Sequence, residues 1–343
     1  MELLATATLT SFLPLPTRIQ IQTQSCAAVA WKHSLVCHRL SLPPAGGWCA
    51  RKRRWQVTAS CFAPVDTEAL GEKRAKVLMA EKDLLVVGAG ALGSLLAQSW
   101  LKTNPGCKVV GVTNTTKRHE ELRGLGILPT LKQTESIEQF PYVIFCAPPS
   151  GSDDYPAELR LAAQRWNGLG SLLFTSSSAV YDCEDNGPCD ENTPTFPLGV
   201  SSRADKLLNA EEEVLKVGGN VVRLAGLYSL DRGPHTYWLK LGTVESRPDH
   251  ILNLIHIEDA TSLCLAIMEK PFRSQIFMGC DGSPLSRQEL MDLVNISEKY
   301  EHKFQKFTGL DGPLGKRMDN SVTCTKLGWK PKYTSFANFL GVA

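Results

Sequence analysis

No apolar stretch in this 343-residue chain runs unbroken for the roughly 18 residues that a membrane-spanning helix requires. Low-complexity tracts and internal repeats are also missing, and charged residues make up 21% of the chain against 43% hydrophobic. Those proportions exclude a collagen-like, disordered or disulfide-scaffold protein. They suit a soluble enzyme, and the length is that of one large α/β domain or two average ones.

Acids are scarce in one place. Glu2 stands alone against seven Lys and Arg in the first sixty residues, whereas the remainder holds 30 bases and 34 acids, a balance of −4. The net charge of +2 therefore averages two unlike parts. The leading segment is rich in Ser and Thr, and its cluster Arg51-Lys52-Arg53-Arg54 precedes Val57-Thr58-Ala59. This composition predicts an organellar import sequence over residues 1–60, with a Val-x-Ala pattern similar to a plastid cleavage site. The expected location is the chloroplast stroma, with the mitochondrion as alternative. A tail that binds something acidic through Arg51 to Arg54 is the competing reading.

Four of the eleven cysteines (Cys26, Cys37, Cys49, Cys61) lie in or beside that segment. None of the other seven is paired at the spacing of a zinc knuckle, so no metal site is expected. Cys146 and Cys264 read as small buried hydrophobes. Cys183 and Cys189 flank a polar loop, as a redox pair or as two unrelated thiols.

Beyond a polar lead-in (61–82, with helical character near 67–80), short apolar runs recur at 84–87, 108–112, 142–147, 172–175, 221–225 and 251–255. Helix-patterned stretches separate them at 91–101, 155–166, 203–215 and 260–269. Wholly apolar strands alternating with helices predict an α/β fold with a doubly wound parallel sheet. The core is expected over 83–229 and 251–270, with the run at 251–255 returning to the main sheet. A small C-terminal substrate lobe is expected over 230–250 and 271–343.

Gly88-Ala89-Gly90-Ala91-Leu92-Gly93 follows the first strand and opens the first helix. Gly88 permits a tight turn, Gly90 lets backbone amides approach a pyrophosphate, and Gly93 permits close helix–strand packing. An NAD-binding chain should carry an acid about twenty residues further on for the ribose hydroxyls. Here the stretch is Thr113-Asn114-Thr115-Thr116-Lys117-Arg118, with no acid before Glu120. Small polar groups and two cations suit a 2′-phosphate, which predicts NADP(H) over NAD(H).

From the fourth strand onward the motif order resembles the extended short-chain dehydrogenase/reductase superfamily, the NAD-dependent epimerase/dehydratase group. Phe174-Thr175-Ser176-Ser177-Ser178-Ala179-Val180-Tyr181 resembles its strand ending in a catalytic hydroxyl, which falls on Ser177. Asp190-Glu191-Asn192-Thr193-Pro194 resembles the loop that follows. Val222-Arg223-Leu224-Ala225-Gly226-Leu227-Tyr228 resembles the segment lining the nicotinamide pocket, and Asn253-Leu254-Ile255-His256-Ile257-Glu258-Asp259 a later family stretch. The resemblance implies a Rossmann sheet and cofactor contacts from Gly88, Gly90, Ala91, Leu92, Gly93, Thr113, Asn114, Lys117, Arg118, Ala147, Pro148, Lys206 and Leu227.

The family places Tyr-x-x-x-Lys on one helix face, where the lysine lowers the phenol's pKa and holds the ribose. Lys206 matches the lysine, but Ser202 stands where the tyrosine belongs. A serine hydroxyl does not ionise near neutrality, so a substitute acid is expected from Tyr155, Tyr181, Tyr228, His256 or a water on Ser202. Packing is the competing role for these tyrosines and a structural hydrogen bond for His256. The glycine spacing is also shorter than the usual Gly-x-x-Gly-x-x-Gly. Both departures are similar to the atypical plastid and bacterial branch, as are Lys316-Arg317-Met318-Asp319-Asn320 and Leu327-Gly328-Trp329-Lys330-Pro331.

The implied function is an NAD(P)(H)-binding oxidoreductase or epimerase-like enzyme acting on a small or sugar-type metabolite, with a degenerate site. Arg232, His235 and Arg247 are candidate substrate contacts in the lobe. The alternative is a non-catalytic dinucleotide sensor, assembly factor or RNA-binding protein. Nucleic acid is disfavoured, because no basic stripe interleaves with aromatics. A minor alternative rests on residues 88–97, which resemble the opening of ketopantoate reductases, enzymes with an all-helical second domain.

Overall fold

A computed structural model of the chain describes residues 81–134 and 136–342; the expected import segment and most of the lead-in lie outside the described residues. The first half runs β1 (Leu84–Val87), α1 (Ala91–Thr103), β2 (Val109–Thr113), α2 (His119–Gly124), β3 (Leu128–Leu131), β4 (Phe140–Phe145), α3 (Tyr155–Gln164), β5 (Trp166–Ser177), β6 (Asp185–Cys189), α4 (Ser202–Lys216) and β7 (Asn220–Leu224). The second half runs β8 (Gly226–Tyr228), α5 (Pro234–Leu241), β9 (Thr243–Val244), β10 (Ile251–Leu252), β11 (Leu254–His256), α6 (Ile257–Met268), β12 (Ile276–Gly279), β13 (Leu285–Ser286), α7 (Arg287–Ile296), β14 (Lys306–Phe307), β15 (Gly315–Met318), α8 (Ser321–Leu327) and α9 (Phe336–Leu340). Among the described residues no helix is long and apolar enough to cross a membrane.

Seven strands form one parallel sheet in the order β12-β7-β5-β4-β1-β2-β3. The reversal on either side of β1 and β4 is the doubly wound pattern that the alternation predicted, and ligands of such sheets bind at that switch point. β4, with every residue buried, is sandwiched between layers. β3 is legible only in the structure, because Pro129 removes a ladder donor and confines this segment to the sheet edge.

Two segments depart from the expected layout. The run at 251–255 does not return to the main sheet, because Asn253 interrupts it. Its side chain donates to Lys316 O (2.8 Å) and accepts from Met318 N (2.9 Å), tying the chain to β15. β10 consequently joins a four-stranded sheet β13-β10-β15-β6, and β11 pairs with β8. The seventh strand of the main sheet is β12, from a stretch that the sequence assigned to the lobe. Gly279 makes that pairing possible, since a Cβ there would lie 2.6 Å from Leu224 Cδ2.

A second core of Tyr228, Leu254, Leu290, Met291, Val294 and Phe336 gathers β8, β11, α7 and α9 into the lobe. Its strands exclude the all-helical second domain of the ketopantoate-reductase alternative.

One buried ion pair pins α4 to the sheet. Arg223 on β7 donates to Glu211 on α4 (Nη2–Oε2 2.7 Å), both nearly inaccessible, and Ser176 Oγ donates to Glu211 Oε1 at 2.5 Å. The guanidinium also lies 4.8 Å from the Tyr181 ring centroid. The run Glu211-Glu212-Glu213 thus divides its work, since Glu212 pairs with Lys216 and Glu213 with Arg160 on α3.

Candidate functional site

The glycine turn has the geometry its spacing predicts. Gly88 sits at φ +91°, and a Cβ on it would lie 2.4 Å from Ala147 N, so only glycine lets β1 cross so close to the end of β4. A Cβ on Gly93 would lie 2.3 Å from Gly88 O, so α1 packs directly on the turn. Gly90 differs: its Cβ direction is open, with Gly88 O at 4.0 Å the nearest atom. Gly90 caps α1 without a side-chain hydrogen bond, and the first turn carries no acid. Ala91, Leu92 and Gly93 therefore offer backbone amides at the positive end of a helix dipole, the donor set that suits a pyrophosphate.

Beside this turn lies a cleft of about 220 Å³ lined by residues that include Gly88, Gly90, Thr113, Asn114, Arg118, Ala147 and Pro148. The structure thus gathers residues from the ends of β1, β2 and β4. Arg118 Nη1 donates to Ala89 O (3.1 Å), while its Nε and Nη2 hold Glu121 at 2.8 and 2.6 Å, which keeps the cation at the lip of the turn. Asn114 and Lys117 are exposed. The Thr113 hydroxyl faces inward, donating to Thr115 O (3.0 Å) and meeting the buried His119 Nε2 at 2.8 Å.

The second part of the site lies at the end of β5. Ser177 Oγ is half-buried and accepts from Ala179 N (3.2 Å), capping the short turn 178–180. Lys316 on β15 donates to Ser178 O (3.1 Å) and Tyr181 O (2.9 Å), so the lobe fixes the turn that carries Ser177. Burial holds the Lys316 ammonium below its ordinary pKa. Ser202 and Lys206 are exposed on α4. They share a side with Glu213, at spacings of four and seven residues, and Glu213 reaches Arg160 on α3. The Glu213 end of that side meets α3, while Ser202 and Lys206 lie exposed toward its N-terminal end. Leu227 is half-buried on β8, paired in register with Ile255.

The four side chains expected to stand in for the family's phenol are all engaged or enclosed. Tyr155 OH donates to Ala147 O at 2.7 Å, and burial drives its pKa up. Tyr181 is fully buried with no partner for its hydroxyl, and burial pushes it up to about 12. Burial and the nearby Asp281 and Asp259 raise Tyr228, whose hydroxyl also lacks a partner. His256 Nδ1 accepts from Glu258 N (3.3 Å) as the cap of α6, and burial depresses its pKa.

The lobe candidates are similarly placed. Arg247 grips Asp249 and donates to Gly312 O at 2.6 Å. His235 is buried, which lowers it to about 4, and Arg232 is exposed. Cys183 and Cys189 are both free thiols, and burial pushes Cys189 up to about 11.

Sequence reasoning missed Lys132, Glu158 and Lys316 as site residues. The first two line the cleft from the end of β3 and from α3, where no local pattern marks them. The third was read only as part of a C-terminal resemblance.

A parallel sheet flanked by helices, with a glycine turn at its switch point, is a Rossmann-like α/β fold, and comparison with known proteins agrees. No family model matches the chain. The curated Protein YeeZ of Escherichia coli K12 is 27% identical over 169 residues, 47% of this chain and 58% of that protein; the match thus spans less than two thirds of the relative's length. A functionally unknown conserved protein from Silicibacter pomeroyi superposes with a TM-score of 0.63 at 24% identity, covering 76% of this chain and 96% of its own. UDP-glucose 4-epimerase from Thermotoga maritima gives 0.61 at 17% identity over the same shares. WbmG from Bordetella bronchiseptica, solved with NAD, gives 0.61 at 19% identity over 76% and 92%. The chain shares the fold of these proteins, among them a UDP-glucose 4-epimerase and an enzyme solved with NAD.

Proposed function

We propose that the protein binds NADP(H) in the cleft above β1, β2 and β4 and belongs to the atypical epimerase/dehydratase branch. Its work would be that of an oxidoreductase or epimerase-like enzyme on a small or sugar-type metabolite. The observation that carries this reading is the glycine turn: two glycines closed by backbone contacts under 2.5 Å and a third left open before an uncapped helix. Arg118 at its lip, with no acid in the stretch before Glu120, supports the 2′-phosphate form. The acid-poor leading segment supports a plastid address.

When bound, the dinucleotide supplies a hydride donor or acceptor. The amides of Ala91, Leu92 and Gly93 hold the pyrophosphate, and Arg118 with Asn114 and Lys117 serves the 2′ end. Lys206 serves the nicotinamide ribose, and Ser177 orients a substrate carbonyl or hydroxyl. Ser202, in place of the family tyrosine, orients a water or hydroxyl without taking its proton.

The enclosure of Tyr155, Tyr181, Tyr228 and His256 favours a second reading, a dinucleotide sensor or assembly factor without turnover. Thermal melting of residues 61–343 with NADPH, NADH or neither tests the first reading. A ligand at a hundred times its Kd adds about 2.7 kcal/mol, so a rise of several degrees with NADPH alone is expected. No rise with either dinucleotide overturns it and moves the search to protein or RNA partners. Turnover of NADPH with a carbonyl substrate, lost in Ser177→Ala, separates the enzyme from the sensor.

A further inference from the structure

The cleft does not end at Arg118. It shares Val87, Val112, Lys132 and Glu158 with a larger groove of about 560 Å³, whose other walls include Leu85, Phe145, Leu161 and Ala162. The crossover from β3 to β4, none of whose described residues is helical, lines this groove through Lys132, Gln133, Thr134, Ser136 and Ile137. Val87 and Val112 form one wall of a slot, and α3 forms the other through Leu161 and Ala162. Lys132 Nζ meets Glu158 Oε1 at 2.5 Å across the passage between cleft and groove. Ser152 Oγ donates to the same carboxylate oxygen, and the Glu158 side chain is 15% exposed against 39% for Lys132.

We infer that Lys132 and Glu158 read the hydrogen-bonding edge of the adenine base, an inference that rests on the dinucleotide reading above. With the pyrophosphate at Gly88–Gly93 and the adenosine ribose at the end of β2, the base must continue away from the turn. The slot bounded by Val87 and Val112 is the apolar space in that direction. The Lys132–Glu158 pair offers a donor and an acceptor side by side. Adenine presents the complement, an exocyclic 6-amino donor beside the N1 acceptor. In the free protein the two side chains satisfy each other and close the slot, and the base replaces each partner with its own group. Hypoxanthine reverses both polarities, setting O6 against a carboxylate and N1–H against an ammonium, so the pair rejects it.

The test is equilibrium binding, followed by nicotinamide fluorescence, of NADPH and of its analogue with hypoxanthine in place of adenine. Wild-type protein is expected to bind the analogue about tenfold more weakly or worse. Glu158→Gln offers either an amide donor or an acceptor, so its preference should fall to within about threefold of unity. Lys132→Met should lose adenine preference while keeping its NADPH-to-NADH ratio, whereas Arg118→Ala should lose that ratio and keep adenine preference. Folding of each variant is checked by its melting temperature without ligand. Equal wild-type affinity for the two bases, or unchanged preference in Glu158→Gln, overturns the inference while leaving NADPH binding standing. A Lys132→Met effect confined to the NADPH-to-NADH ratio makes that lysine a 2′-phosphate ligand and overturns it as well. Absence of NADPH binding in the wild type removes the dinucleotide reading and this inference with it.

Discussion

The two ends of the carboxyl edge of the sheet are built on different principles. At the β1–β2 end the site is backbone: glycines, an uncapped helix terminus and a cation leashed by Glu121. At the β5–α4 end it is side chains, and nearly every titratable group there is committed elsewhere. Glu211 holds Arg223, Tyr155 holds Ala147, and Tyr181 is enclosed beneath Arg223 and Lys316. Backbone geometry survives sequence drift because it needs only small residues, whereas proton transfer needs one phenol in one place. A chain can therefore carry the glycine turn without a phenol four residues before Lys206.

The largest expected effect lies at the side-chain end. Glu211→Ala leaves a buried guanidinium without its partner and should cost about 3–5 kcal/mol in a urea unfolding titration. A loss under 1 kcal/mol would mean that the pair is not what anchors α4.

A pH effect comes next, from the lobe. Burial raises Asp281 to about 7, so its folded state holds a proton that the unfolded chain has released. Its share of stability is complete below the ordinary carboxylate pKa of about 3.9 and is lost as pH rises toward 7, by up to about 1.4 kcal/mol per unit. His235, lowered to about 4, works in the opposite sense and loses stability as pH falls from about 6.5. Asp281→Asn should remove the first slope and leave protein whose stability rises with pH over this window. An unchanged profile would show that Asp281 is solvated.

At the backbone end the three glycines should separate cleanly. Gly88→Ala and Gly93→Ala force backbone shifts and should each cost about 1–3 kcal/mol of stability. Gly90→Val, with open space around its Cβ, should keep its unliganded melting temperature and lose NADPH binding by about tenfold or more. Equal behaviour of all three would dissolve the distinction between packing glycines and a ligand-facing one.

The smallest structural effect is expected from Ser202→Tyr. The position is exposed at the start of α4, so stability should move by no more than about 0.5 kcal/mol. The change restores a phenol four residues from Lys206, and turnover rising with pH is the sharpest test of whether the two ends still form one site.

Much of the first half could be read locally. An apolar run such as Leu84–Val87 makes a buried parallel strand by itself, and the glycine spacing specifies a turn through the conformations it permits. The β3 edge was hidden by Pro129, and β12 by the distance along the chain to its partner β7. Lys132 and Glu158 lie on separate elements, and nothing near either residue announces that they meet.

The sequence by itself determined the alternation of strands and helices, the glycine turn and the absence of a phenol four residues before Lys206. Those features depend on neighbours within a few residues. Only the tertiary structure decided that Asn253 splits a strand between two sheets, that Glu211 rather than Glu212 or Glu213 is buried, and that the alternative acids are enclosed. Such outcomes depend on which distant groups share a desolvated space, a property of packing that no local pattern encodes.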